Sequence, residues 1–175
     1  MTARSNILRD ERGSAAVDMI VVLPIMLMVF ISVVELTSVL RLDRKVVAAA
    51  QTTADLITQR REVSNDDLND ILRAAELILE PYPASGHSVG IVGVQYDEDS
   101  GNPETLWTKS KNGGSVPEAL AVAVGLGAKG EGVVVVRVTY SYTPVFFEFL
   151  MGQTTLEETT VLRPRRSSIV EGPGS

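Results

Sequence analysis

The sequence predicts an α+β chain: a long, membrane-spanning N-terminal helix that continues into a small soluble domain of helices packed on an antiparallel sheet. Three observations predict it. No charged residue falls between Met19 and Val34, and apolar character runs on to Leu40 if Glu35 is tolerated. Apolar residues then recur at three- and four-residue spacing from Leu68 to Leu79, the pattern of one buried helix face. From Ser88 the period changes to two, most clearly across Val133 to Tyr142, which is the alternation of strands. Helices first and strands second are the order of an α+β domain.

The first element sets the class. A bilayer core needs about 20 largely apolar residues in a helix, and Ser14 to Leu40 is long enough to span one with some tilt. A charged leader, residues 1–13, precedes it and carries Arg4, Arg9 and Arg12. The expected order is leader 1–13, transmembrane helix 14–42, helical stalk and second helix 43–80, α+β domain 81–163 and polar tail 164–175. A cleaved secretory signal has a shorter apolar core that ends in small residues, so an anchor fits this run better. Basic flanks do not orient it, because Arg4, Arg9 and Arg12 on one side balance Arg41, Arg44 and Lys45 on the other.

Within the span, Asp18 is an acid where the apolar run has barely begun, and an ionisable group there is a functional candidate. Pro24 removes one backbone hydrogen bond and tends to kink a helix; the kink has either a role in bending or none. Glu35 comes about 25 Å after Asp18 along a helix, near the far interface, where snorkelling to water is expected. The same helix is expected to continue from Arg41 to Arg61, with no Gly or Pro after Pro24 to interrupt it. Ser64 reads as the N-cap of the next helix, with Asp66 and Asp67 in its first turn. Pro81 and Pro83 stop that helix.

Both registers of Ser88 to Tyr96 hold apolar residues, so this strand is expected to be central or covered. The turn-rich stretch Asp97 to Pro103 leads to a return strand, Thr105 to Lys109, which contains Trp107. Pro117 to Leu126 reads as a short helix with a glycine stop at Gly125 or Gly127. Val134, Val136, Val138, Tyr140 and Tyr142 form one face of the next strand, and Thr154 to Leu162 reads as the last.

Composition narrows the function. The 175 residues carry a formal net charge of −6, which argues against a nucleic-acid surface. There is no cysteine, so disulfides and thiolate metal sites are excluded. The run Gly125-Leu-Gly-Ala-Lys-Gly130 has the glycine spacing of a dinucleotide site, but that site needs a strand before and a helix after, and here the order is reversed. Asp97, Asp99 and Gly101 resemble half a calcium loop, yet no glutamate closes it, and a solvated turn is the simpler reading. His87, the one histidine, reads as a loop residue. Asp18 and Glu35 are too far apart to work as paired carboxylates. No metal, cofactor or enzyme activity is expected. Phe146, Phe147, Phe149, Leu150 and Met151 follow Pro144 as a dense apolar cluster, either core or a contact patch for a partner.

The stretch Arg12-Gly-Ser-Ala-Ala-Val-Asp-Met19 resembles the N-terminus of type IV prepilins and pseudopilins. With Val22-Leu-Pro-Ile25 it is more closely similar to the TadE/TadG-like proteins of the tight-adherence (Flp) pilus system. Val138-Thr-Tyr-Ser-Tyr-Thr-Pro144 and Leu162-Arg-Pro-Arg165 are similar to the C-terminal half of TadE-like proteins. Asp18 stands where the family usually has glutamate, and Ser14 where many type IV pilins have Phe or Met. The resemblance implies a prepilin peptidase cut between Gly13 and Ser14, which makes Asp18 the fifth mature residue and an assembly determinant. It implies a minor pilin with its N-terminus in the cytoplasm, one span in the cytoplasmic membrane and the α+β domain outside. Its partners would be that peptidase, other pilins and the Tad assembly machinery. The alternative is an uncleaved single-span anchor for an extracytoplasmic binding or adhesin domain.

Overall fold

The computed structural model describes residues 11–146, 148 and 152–173, with side chains described from residue 17 onward. Helix α1 runs Glu11–Thr58 and contains Pro24. The chain forms two units, one ending at Ser38 and the other comprising Val39–Ser175. The first is helix throughout its described residues. The second holds the remainder of α1, helix α2 (Asn65–Leu79), a 3-10 turn (Ala84–Gly86), strands β1 (His87–Tyr96) and β2 (Pro103–Lys111), helix α3 (Ala119–Ala123), and strands β3 (Gly132–Tyr142) and β4 (Thr154–Leu162).

Helix α2 starts where its cap dictates. The Asp67 backbone N–H donates to the Ser64 hydroxyl at 3.1 Å, and the Ser64 N–H donates back to the Asp67 carboxylate at 3.0 Å. This reciprocal box satisfies two end donors that the helix itself cannot. The Ser64 hydroxyl also donates to that carboxylate, so with Arg60 nearby the Asp67 carboxyl is held below its ordinary value. At the other end, Lys45 from α1 donates to the carbonyls of Ile78 and Glu80 at 2.8 and 2.7 Å. A cation there meets the negative end of the helix dipole.

All strand pairs are antiparallel, in the order β2-β1-β3-β4. β1 is therefore internal, as its doubly apolar pattern requires. The two registers feed two cores. Val89 and Ile91 of β1, with Val134, Val136 and Val138 of β3, face Leu42, Val46, Ile57, Leu68 and Leu72 of the helices. Val92, Val94 and Tyr96, with Val133 and Val135, meet Val116, Ala119 and Ala123 around α3. Ala49, Ala50 and Ala54 are fully buried on α1, and their small size suits close approach of helix to sheet.

Three local expectations are corrected. The return strand extends beyond Thr105 to Lys109 at both ends, because Tyr96 pairs with Pro103 and Val89 with Lys111. The helix expected over Pro117 to Leu126 shortens to Ala119–Ala123, with no side-chain cap at its start and Gly125 at φ +74° beyond its end. That left-handed backbone favours glycine and ends a helix.

The third concerns residues 163–173, which read as polar but hold the domain together. The Arg165 N–H donates to the Thr58 carbonyl, that of Val63 to Glu171, and that of Glu171 to Arg61, at 2.9, 2.9 and 3.0 Å. Val170 is buried, and the Trp107 indole N–H donates to its carbonyl at 2.8 Å. A side chain at Gly93 or Gly172 would place its Cβ 2.4 or 2.3 Å from the Trp107 indole, closer than atoms pack. The ring occupies space that only glycine leaves open.

Candidate functional site: the apolar N-terminal helix

Between Met19 and Val34, thirteen large apolar side chains are 42–72 % exposed. They lie on every side of α1, whereas a helix serving a soluble core is apolar on one stripe only. The stretch from Val17 is long and apolar enough to cross a membrane, and none of its most apolar window is buried. It is the one such helix among the described residues. A buried core helix passes the same length test but would hide its side chains.

Three hydroxyls of the segment are satisfied within the helix. The hydroxyls of Ser32, Thr37 and Ser38 donate to the carbonyls of Met28, Val33 and Val34 at 2.8, 2.8 and 3.1 Å. Back-bonding of this kind is how a helix carries hydroxyls where no water is available. Pro24 lacks an N–H to give to the preceding turn, and α1 continues through it.

Gly13 and Ser14 fall within α1, and Asp18 is exposed near its start. Glu35 differs from its expectation: it is only 6 % exposed, not reaching for water. Residues 1–10, which hold most of the leader, lie outside the described residues, as do Phe147, Phe149, Leu150 and Met151. Phe146 is 57 % exposed, which is not the position of a core side chain.

The other sequence candidates resolve into architecture. Asp97 accepts the N–H groups of Asp99 and Ser100 at 3.2 and 2.6 Å and the Ser100 hydroxyl at 2.7 Å. The Ser100 N–H is the main reason its carboxyl lies below the ordinary value. Lys129 donates to the Asp99 carbonyl. The Asp97 carboxylate is thus spent on a turn, which Asp99 joins through its backbone. In the glycine run, a Cβ at Gly127 would meet the Tyr96 ring at 2.1 Å, and the Tyr96 hydroxyl donates to the Ala123 carbonyl at 2.5 Å. A helix precedes the run and a strand follows it, the reverse of a dinucleotide fold. His87 is not a loop residue: it opens β1 and is buried. Among the described residues, no group of three or more His, Asp or Glu is placed to hold a metal ion.

An exposed helical stretch with no charge from Met19 to Val34 points to a single-pass membrane protein. Residues 13–55 match the family model of TadE-like proteins, a segment that opens at Gly13 and ends inside α1. The match covers about a quarter of the chain and makes that segment similar to TadE-like proteins. No curated protein and no solved structure matches the chain.

Proposed function

We propose that this protein is a minor pilin or pseudopilin that takes part in assembling a tight-adherence pilus. The observation that carries the reading is the TadE-like segment beginning at Gly13 on a helix whose apolar surface is open on all sides. In this reading the N-terminus stays in the cytoplasm, α1 crosses the cytoplasmic membrane and the α+β domain lies outside. A prepilin peptidase removes residues 1–13 and frees the Ser14 amine.

The chemistry of assembly then rests on two charges. The new amine is cationic, and the Asp18 carboxylate sits four residues on, one helical turn away. In an apolar setting an unpaired charge is costly, and breaking a buried pair by removing one partner costs about 3–5 kcal/mol. A neighbouring subunit's amine satisfies Asp18 when helices pack side by side. Aspartate is one methylene shorter than the glutamate common at this position, so the two helices must approach more closely. Pro24 gives the helix a weak point for bending as it leaves the bilayer, and Phe146, with Phe147 and Phe149, offers an apolar patch to a neighbouring pilin.

The test is the Gly13→Ala variant, expressed with the cognate peptidase. The reading predicts that the leader stays attached while membrane insertion is unchanged. Leader retention in the unaltered chain as well, with the peptidase active on another substrate, would leave an uncleaved anchor for a binding or adhesin domain.

A further inference from the structure

His87 is a titratable group that pilus assembly leaves unused. Its side chain is 1 % exposed, and neither ring nitrogen has a hydrogen-bond partner. The nearest counter-charge is Glu76 of α2, whose Oε1 lies 3.5 Å from Nε2. That same oxygen is 2.7 Å from the Lys111 ammonium at the end of β2. Beside the ring lies a cleft that also includes Arg73, Glu80 and Tyr82. Tyr140 of β3 is its register partner and donates its hydroxyl to the Pro83 carbonyl at 3.2 Å. From α1, Lys45 holds the carbonyls of Ile78 and Glu80. The Asn112 amide donates to the His87 carbonyl at 3.0 Å, fixing the backbone while leaving the ring unbonded.

A neutral imidazole tolerates this enclosure, but an imidazolium does not. It has two N–H donors and a charge that must be solvated or paired. Among the described residues the carboxylate within reach of the ring is Glu76, already engaged by Lys111. We propose that His87 is an acid-operated latch, in which protonation of the enclosed imidazole draws Glu76 off Lys111 and releases the C-terminal half of α2 from the end of β2. Both moves act on one seam, because Glu76 is the side chain that joins α2 to His87 and to Lys111. The latch does not depend on where the domain resides.

Burial, the largest influence, lowers the imidazole's affinity for protons below the ordinary value of 6.5; Glu76 opposes this and Lys111 adds to it. A lowered native value means the unfolded chain takes the proton first. The stabilisation is complete above pH 6.5 and is lost as pH falls toward the native value, by at most about tenfold in the folding equilibrium per pH unit. Asp67 and Asp97 lose their contributions only below the carboxylate value of 3.8, so the His87 decline begins at higher pH than theirs.

One histidine makes the experiment clean. The full chain in detergent micelles is followed by NMR of the imidazole and by amide exchange of α2 between about pH 8 and about pH 5. The latch requires the imidazole to titrate below 6.5, α2 protection to fall in the same range, and His87→Gln to flatten that fall. Glu76→Gln, which removes the carboxylate that favours the charged ring, must move the imidazole midpoint to lower pH; this arm stands even if His87→Gln fails to fold. Titration at or above the ordinary value, α2 protection that is flat with pH, an equal fall in His87→Gln, or an unmoved midpoint in Glu76→Gln would each overturn the proposal.

Discussion

Replacing Leu27 and Phe30 together by arginine should expel the chain from the membrane, and replacing either alone should not. Both lie near the middle of the apolar run, 52 and 66 % exposed. Eleven of the residues from Met19 to Val34 are Leu, Ile, Val or Phe. At about 0.3–0.6 kcal/mol each they favour insertion by about 3–7 kcal/mol. Arginine at the centre of a span costs about 2.5–3.5 kcal/mol, so each exchange removes about 3–4 kcal/mol once the lost apolar group is included. One substitution therefore leaves insertion near balance or better, and two cancel it. The assay is carbonate extraction of membranes carrying the full chain, with the soluble fraction measured for the parent, each single variant and the pair. A water-exposed helix would respond differently, since exchanges at exposed positions usually change stability by less than about 0.5 kcal/mol. Complete retention of the double variant in the membrane, or extraction of the parent, would refute the assignment of this helix to the bilayer.

Three further outcomes test other parts of the account. Leu68→Ala, at a fully buried position between α2 and the sheet, should destabilise the folded domain by about 2–5 kcal/mol, read from denaturant unfolding in micelles; a loss below about 0.5 kcal/mol would mean that α2 does not pack as described. Acid titration should show stability declining as pH falls below the ordinary carboxylate value of 3.8, because Asp67 and Asp97 are held below it by hydrogen bonds within their cap and turn. Asp67→Asn combined with Asp97→Asn should blunt that decline, and an unchanged acid limb would contradict the assignment. Asp18→Asn should reduce pilus assembly while leaving the protein in the membrane fraction; equal loss in both measurements would remove Asp18 from assembly.

Much of this architecture was legible because it is periodic. The 3.6-residue pattern of Leu68 to Leu79 and the alternation of Val134 to Tyr142 survive as buried faces, and Ser64 is the cap its position suggested. The apolar run was legible from composition alone, and its exposure on all sides adds what composition lacks. What escaped has no period. Residues 163–173 carry scattered polar groups, and their value lies in contacts with Thr58, Arg61, Val63 and Trp107 far back in the chain. A glycine that fits beneath a tryptophan, such as Gly93, looks like any other glycine in a strand until the ring is seen against it. His87 looked like a loop residue because glycine and serine surround it; the glutamate beside it comes from another element, α2. At the membrane end, Gly13, Ser14 and Asp18 were legible only as a motif, since processing and pairing involve other molecules.

The most direct test of the central claim is the intact mass of the membrane-extracted protein, made with and without the cognate prepilin peptidase. The account predicts loss of residues 1–13 only when the peptidase is present, giving a chain that begins at Ser14. An unchanged mass beside an active peptidase would contradict it and leave the span as a plain anchor.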